Sequence, residues 1–174
     1  MKRALSKRQR AVLEVMNKPK IPAEIREQTG LNKGNNLSST LKELVHQDLI
    51  YCLNKKTRLG KLYGLTKKGA RLRKKLGLAD YYQPKDINWN LYGWVVCGKQ
   101  RKAIIRAMVP DVPMSLRTIR ERALEHNSRI SRTNANDILQ CYVRYKLLLK
   151  IKIINKVNFK LTRSGNYIKE QLIE

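Results

Sequence analysis

Three stretches of this chain carry side chains whose types and spacing suit them to gripping a polyanion. In "NNLSSTLKELVHQDL", Asn35, Asn36, Ser38, Ser39 and Lys42 place amides, hydroxyls and an ammonium between apolar residues. Amides and hydroxyls both donate and accept hydrogen bonds, so such a row can read a patterned surface as well as hold it. In "NKKTRLGKLY", Lys55, Lys56, Arg58 and Lys61 crowd positive charge into a short polar segment. A third set, Arg129, Arg132, Thr133, Asn134, Asn136, Gln140 and Arg144, repeats the mixture of cations and amides, and Lys156 follows it. Lys7, Arg8, Arg10, Lys67, Lys68, Lys99 and Arg101 add cations that suit phosphate contacts. The expected chemistry is binding without bond making. The sequence has no phosphate-cradling glycine loop, no paired carboxylates at a working spacing and no histidine beside a nucleophile. Glu121 and Glu125 stand one helical turn apart among arginines and read as surface ion pairs.

Charge supports the same expectation. Thirty-eight Lys and Arg against thirteen Asp and Glu leave a net charge of +25. An excess of that size repels itself and calls for a polyanionic partner, most often nucleic acid. It is shared along the chain, with twenty basic and six acidic residues from Met1 to Asp80 and eighteen and seven from Tyr81 to Glu174. Two charged folded surfaces are therefore expected, where a basic arm would have been lopsided. A ribosomal or chromatin-like basic protein is the plainer alternative.

The 174 residues suffice for one ordinary domain or two small ones, and an apolar share of 42% is enough for packed cores. Cys52, Cys97 and Cys141 are isolated in apolar settings, and His46 and His126 lie near none of them, so no metal or other cofactor is expected. They read as small core residues in a reducing compartment. "MKRALSKRQR" lacks the apolar core of a signal peptide and no apolar run reaches membrane-spanning length. The expectation is a cytoplasmic, nucleoid-associated protein.

The elements that must position these residues are legible in the periodicity. "LSKRQRAVLEVM" is an amphipathic helix with Ser6 as N-cap. "IPAEIREQTG" is a short helix with Pro22 at its start and Gly30 as its stop. Leu37, Leu41, Leu44 and Val45 recur at steps of four and three, which gives a third helix capped by Asn35 or Asn36. "LIYCLNKKTRLGKLYGLT" reads as a hairpin with its tip at Lys55, Lys56, Thr57, Arg58 and Gly60. Thr66 then caps a closing helix with Leu72 and Leu76 inward.

The pattern then returns. "GKQRKAIIRAM" parallels "SKRQRAVLEVM", Leu139 and Gly165 correspond to Leu41 and Gly69, and Leu172 corresponds to Leu76 or its neighbour. "PMSLRTIRERALEHN" and "SRTNANDILQCYVRYKLL" supply the second and third helices of this copy. Its hairpin, "LLLKIKIINKVNFKLT", is expected to turn at Asn155-Lys156 and lacks the cationic tip. Asp137 stands where Ser39 stands in the first copy, and a carboxylate facing phosphates is unfavourable, so the first copy should bind more strongly. The expected domains are 1-80 and 97-174, joined by an aromatic segment over 81-96. Trp89, Tyr92 and Trp94 in that segment should pack in a core, with base stacking by Trp89 or Tyr92 the sharper alternative.

With these residues in order, the chain resembles the winged helix-turn-helix proteins found among small prokaryotic regulators, the MarR-like and ArsR-like groups. The motifs that carry the resemblance are "IPAEIREQTGLNKGNNLSSTLKELVHQDLI" and "GKLYGLTKKGARL". It implies an α+β, mostly α fold with two tandem domains, each a three-helix core with a β-hairpin wing and a closing helix. It implies a transcriptional regulator of archaeal or bacterial type that binds double-stranded DNA, with the third helices in the major groove. Arg58 and its neighbours on the wing would enter the minor groove or lie on phosphates. A monomer with a pseudo-dimeric layout or a weak homodimer is expected, since the chain has no long helix to spare for dimerisation. Structured RNA as ligand, an architectural role, and a transcription or replication scaffold gripping protein through the second domain are the alternatives.

Overall fold

The computed structural model describes residues 4-31, 35-85 and 87-172, with the Asn35 side chain outside that description. The fold is α+β and mostly helical, with two small antiparallel sheets among the described residues. The chain divides into two compact units, Met1–Lys85 and Asp86–Glu174.

In the first unit, α1 (Lys7–Val15) starts at Ser6, whose Oγ accepts from the Gln9 N–H at 3.2 Å. The Gln9 side chain accepts from the Ser6 N–H in return, which satisfies two otherwise orphaned amides. α2 (Pro22–Thr29) begins with proline, where no N–H is needed, and ends at Gly30 in the left-handed region at φ 66°. α3 (Asn35–His46) buries Leu37, Leu41 and Leu44 against Val12, Leu13, Met16 and Ile25. Val45 is 42% exposed and lies outside the inward stripe expected of it. Asn35 and Asn36 both fall inside α3, so neither is the residue that precedes the helix.

β1 (Ile50–Cys52) and β2 (Tyr63–Leu65) pair antiparallel in the register Ile50 to Leu65, and α4 (Lys67–Lys75) follows with Thr66 as its cap. Leu72 and Leu76 are only half-buried, and the buried side chain of α4 is Arg73. Its guanidinium donates to the Leu13, Glu14 and Ala79 carbonyls. The first two belong to the last turn of α1, which has carbonyls without intrahelical partners. Burial pulls the Arg73 pKa below its ordinary value. This arginine, in a helix expected to turn Leu72 and Leu76 inward, is a structural tie between the first and last helices of the unit.

The second unit opens with α5 (Trp89–Cys97), a helix absent from the expected elements because it is apolar nearly all round and shows no clean stripe. The aromatic segment is thus divided. Tyr81 and Gln83 stay with the first unit, where Gln83 bonds both Tyr51 and Tyr81, and α5 belongs to the second. Then come α6 (Lys99–Ala107), β3 (Met114–Ser115), α7 (Leu116–Leu124) and α8 (Arg132–Arg144). β4 (Leu148–Ile153), β5 (Lys156–Leu161) and α9 (Arg163–Glu170) complete it. The sheet order is β3-β5-β4, so β4 lies at an edge. β3 was not expected either. Its counterpart in the first unit is a single bridge between Lys20 and Tyr63.

The two units share one joint in atomic detail. After α3, Asp48 turns at φ 56°, and after α8, Lys146 turns at φ 58°. Thr66 Oγ1 donates to the Asp48 carbonyl at 2.7 Å and accepts from the Gly69 N–H at 3.0 Å. Thr162 Oγ1 donates to the Lys146 carbonyl at 2.8 Å and accepts from the Gly165 N–H at 3.1 Å. Each threonine thus ties the turn after the third helix to the start of the closing helix. Each glycine lies so close to a backbone carbonyl, Leu49 or Leu147, that a Cβ would overlap its oxygen. The shared "LT..G" signature is this joint.

Candidate nucleic-acid interface

The solvent face of α3 carries Asn36, Ser38, Ser39 and Lys42, all exposed. Arg8 of α1 donates to Asn36 Oδ1 at 3.2 Å, so the first helix holds the start of the third. The Ser39 hydroxyl donates back to the Asn36 carbonyl at 3.1 Å. Gln9, buried behind this face, donates to Glu43 at 2.9 Å and anchors the middle of α3. Lys7 is exposed, Arg10 forms a surface pair with Glu14 at 3.0 Å, and Lys68 reaches the Gln47 carbonyl at 2.6 Å. Lys67 is exposed beside it.

Between β1 and β2 the loop is held from inside by Asn54, which is buried. Its side-chain oxygen accepts from the Leu62 N–H at 2.7 Å, and its amide donates to the Gly60 carbonyl at 2.8 Å. One short side chain therefore pins both arms of the loop, and Lys55, Lys56, Arg58 and Lys61 point outward from it. Asn54 precedes the expected tip residues and has no expected role of its own. The signal was there, since an asparagine can bond backbone on both sides of a turn. Leu59, to which the sequence pattern assigns no role, is 75% exposed among these cations.

In the second unit α8 is capped by Ser131, whose Oγ accepts from the Asn134 N–H at 3.0 Å. Arg132, Thr133, Asn134 and Arg144 are exposed, while Asn136 and Gln140 are half-buried and lie 3.4 Å apart. Asn134 donates to Gln100 Oε1 at 3.5 Å, which repeats the Arg8 to Asn36 contact of the first unit with an uncharged partner. Gln100 in turn donates to the carbonyl of Arg129, whose side chain is exposed. Lys99, Asn134 and Asp137 line an open cleft of about 430 Å³ between α6 and α8. The exposed Asp137 carboxylate puts negative charge on this face, as its place opposite Ser39 led one to expect.

Arg101 departs from the expected phosphate role. Its guanidinium donates to the Trp94 carbonyl at 2.7 Å, contacts Cys97 Sγ at 3.2 Å and lies 4.4 Å from the centre of the Trp94 ring. Those partners hold it against α5, and the repeat explains why, because Arg101 falls opposite the buried Gln9 and not opposite the exposed Arg10. Trp94 also meets Tyr142 and Tyr145 edge to face, and Tyr92 is buried with its hydroxyl toward the Gln171 carbonyl. Trp89 is half-buried with its ring edge-on to Tyr92, so neither offers a clear stacking platform. The three cysteines are free and half-buried.

The second hairpin turns at Ile154-Asn155, one residue earlier than expected, with both residues at positive φ of 46° and 61°. This is the backbone of a two-residue type I′ turn, which matches the twist of the strands. Lys156 then begins β5 and is exposed. Among the described residues no helix is long and apolar enough to cross a membrane. In comparisons with known proteins, no family model and no curated protein matches the chain.

Proposed function

We propose that this chain is a double-stranded DNA-binding protein made of two winged helix-turn-helix units, acting as a transcriptional regulator. The observation that carries the reading is the exposed polar face of α3, accompanied by an internally anchored loop that projects four cations, in a chain of net charge +25. A helix with amides and hydroxyls on its solvent face suits the major groove, whose base edges display distinguishable donors and acceptors. A cationic loop suits phosphates or the focused negative potential of a narrow minor groove. Covalent joining raises the effective concentration of the second reader once the first is bound.

The first unit supplies most of the affinity in this account, because Asp137 and the sequestered Arg101 leave the second face less positive. Lys42→Ala with Arg58→Ala is expected to weaken duplex binding by about 100-fold, and Arg132→Ala with Arg144→Ala by about 10-fold or less. Equal losses in a fluorescence titration would remove the claim that the first unit dominates. No loss from either pair would remove the DNA reading itself.

A further inference from the structure

Each hairpin ends in a large aliphatic side chain that folding does not use. Ile154 is 91% exposed at the tip of the second hairpin, and Leu59 is 75% exposed in the loop of the first. Ile154 also sits at φ 46°, in the left-handed region that a β-branched residue occupies only under strain. Asparagine or glycine there would satisfy the same type I′ turn without strain and without exposing hydrocarbon. Fold stability therefore argues against isoleucine at this position, and a partner argues for it.

The neighbours say which partner. Lys150, Lys152 and Lys156 are exposed around the second tip, and Arg58 and Lys61 flank Leu59. Ile153 and Val157 beside the second tip are partly exposed as well, so the tip is an aliphatic point set among cations, complementary to an apolar interior reached through a negatively charged surface. The base stack of a duplex, entered from its minor groove between two lines of phosphates, has that character. A second copy of a chain carrying +25 is disfavoured by charge.

We infer that the hairpin tips are wedges: Ile154, and with it Leu59, insert between base pairs from the minor groove and kink the bound DNA. This rests on the duplex reading above and adds a deformation to it. Apolar wedges of this kind unstack a base step and bend the duplex by about 20 to 90°. Pyrimidine–purine steps, which unstack most readily, would be the preferred point of entry.

The test uses the full chain with a duplex carrying a dye at each end and, in a parallel sample, an adenine analogue that brightens on unstacking. Ile154→Asn should raise the melting temperature of the protein by a few degrees, weaken binding by about threefold or less, and cut the bend at least in half. Adding Leu59→Ser should abolish both the bend and the brightening. Lys152→Gln with Lys156→Gln should do the reverse, lowering affinity while leaving the bend of bound duplex unchanged. A double tip variant that bends and unstacks DNA like the unsubstituted chain overturns the wedge and leaves DNA binding standing. If the unsubstituted chain fails to bind duplex, both readings fall. If the tip substitutions instead abolish self-association in sedimentation and spare the bend, the tips are protein contacts and the inference is wrong.

Discussion

Gly69→Ala and Gly165→Ala are each expected to destabilise their own unit by about 3 kcal/mol, near the upper end of what overpacking costs. The reason is contact, not conformational freedom. Neither glycine has positive φ, and an added Cβ at either would overlap a backbone carbonyl oxygen that cannot swing aside as a side chain would. That carbonyl, of Leu49 or Leu147, also accepts the N–H of the capping threonine, so moving it breaks the joint between third helix and closing helix. For a unit of this size the loss corresponds to a fall of about 12 to 24 °C in melting temperature, read by calorimetry. Gly77→Ala is the control. Gly77 lies at φ 71° with open space around it, so alanine there meets only the left-handed backbone penalty of about 1 kcal/mol. Equal effects at Gly69 and Gly77 would show that the close approach is not what selects glycine.

The second large effect is on salt dependence. Each phosphate neutralised on binding releases counterions, so a chain making about six to ten such contacts loses about 10³ to 10⁵ in affinity between 50 and 200 mM salt. Asn54 keeps Lys55, Lys56, Arg58 and Lys61 on an ordered loop, where they can act together. Replacing all four by glutamine is expected to reduce the log–log salt slope by about three to four. Isotherms for both chains across a salt series check this. A slope unchanged by the four substitutions would mean that the loop faces away from the phosphates.

What the sequence made legible was what neighbours in sequence decide. The Ser6 cap, Pro22 and Gly30 at the ends of α2, and the Thr66 cap are each set within one turn of chain, and each appears where expected. So does the inward stripe of Leu37, Leu41 and Leu44. What stayed hidden were cases in which side-chain class and location disagree. Arg73 and Arg101 carry the charge of a surface residue, yet one is buried and the other is held against Trp94. Setting the repeats side by side places Arg101 opposite Gln9, but only the buried capping role of Gln9 gives that pairing meaning. α5 lacked a polar face to mark its period, and the pairing of β3 with β5 joins segments far apart in sequence. Leu59 was lost among the cations whose exposure it shares.

The central claim is that duplex DNA is the ligand, and a direct competition tests it most plainly. The unsubstituted chain is bound to a labelled duplex at about 150 mM salt, where screening already weakens nonspecific charge contacts, and challenged with unlabelled duplex or a folded RNA of equal length. The account predicts that the duplex displaces at concentrations about tenfold or more below those the RNA requires, because the major groove of DNA admits a helix and the deep, narrow one of RNA does not. Displacement by the folded RNA at equal or lower concentration would contradict it.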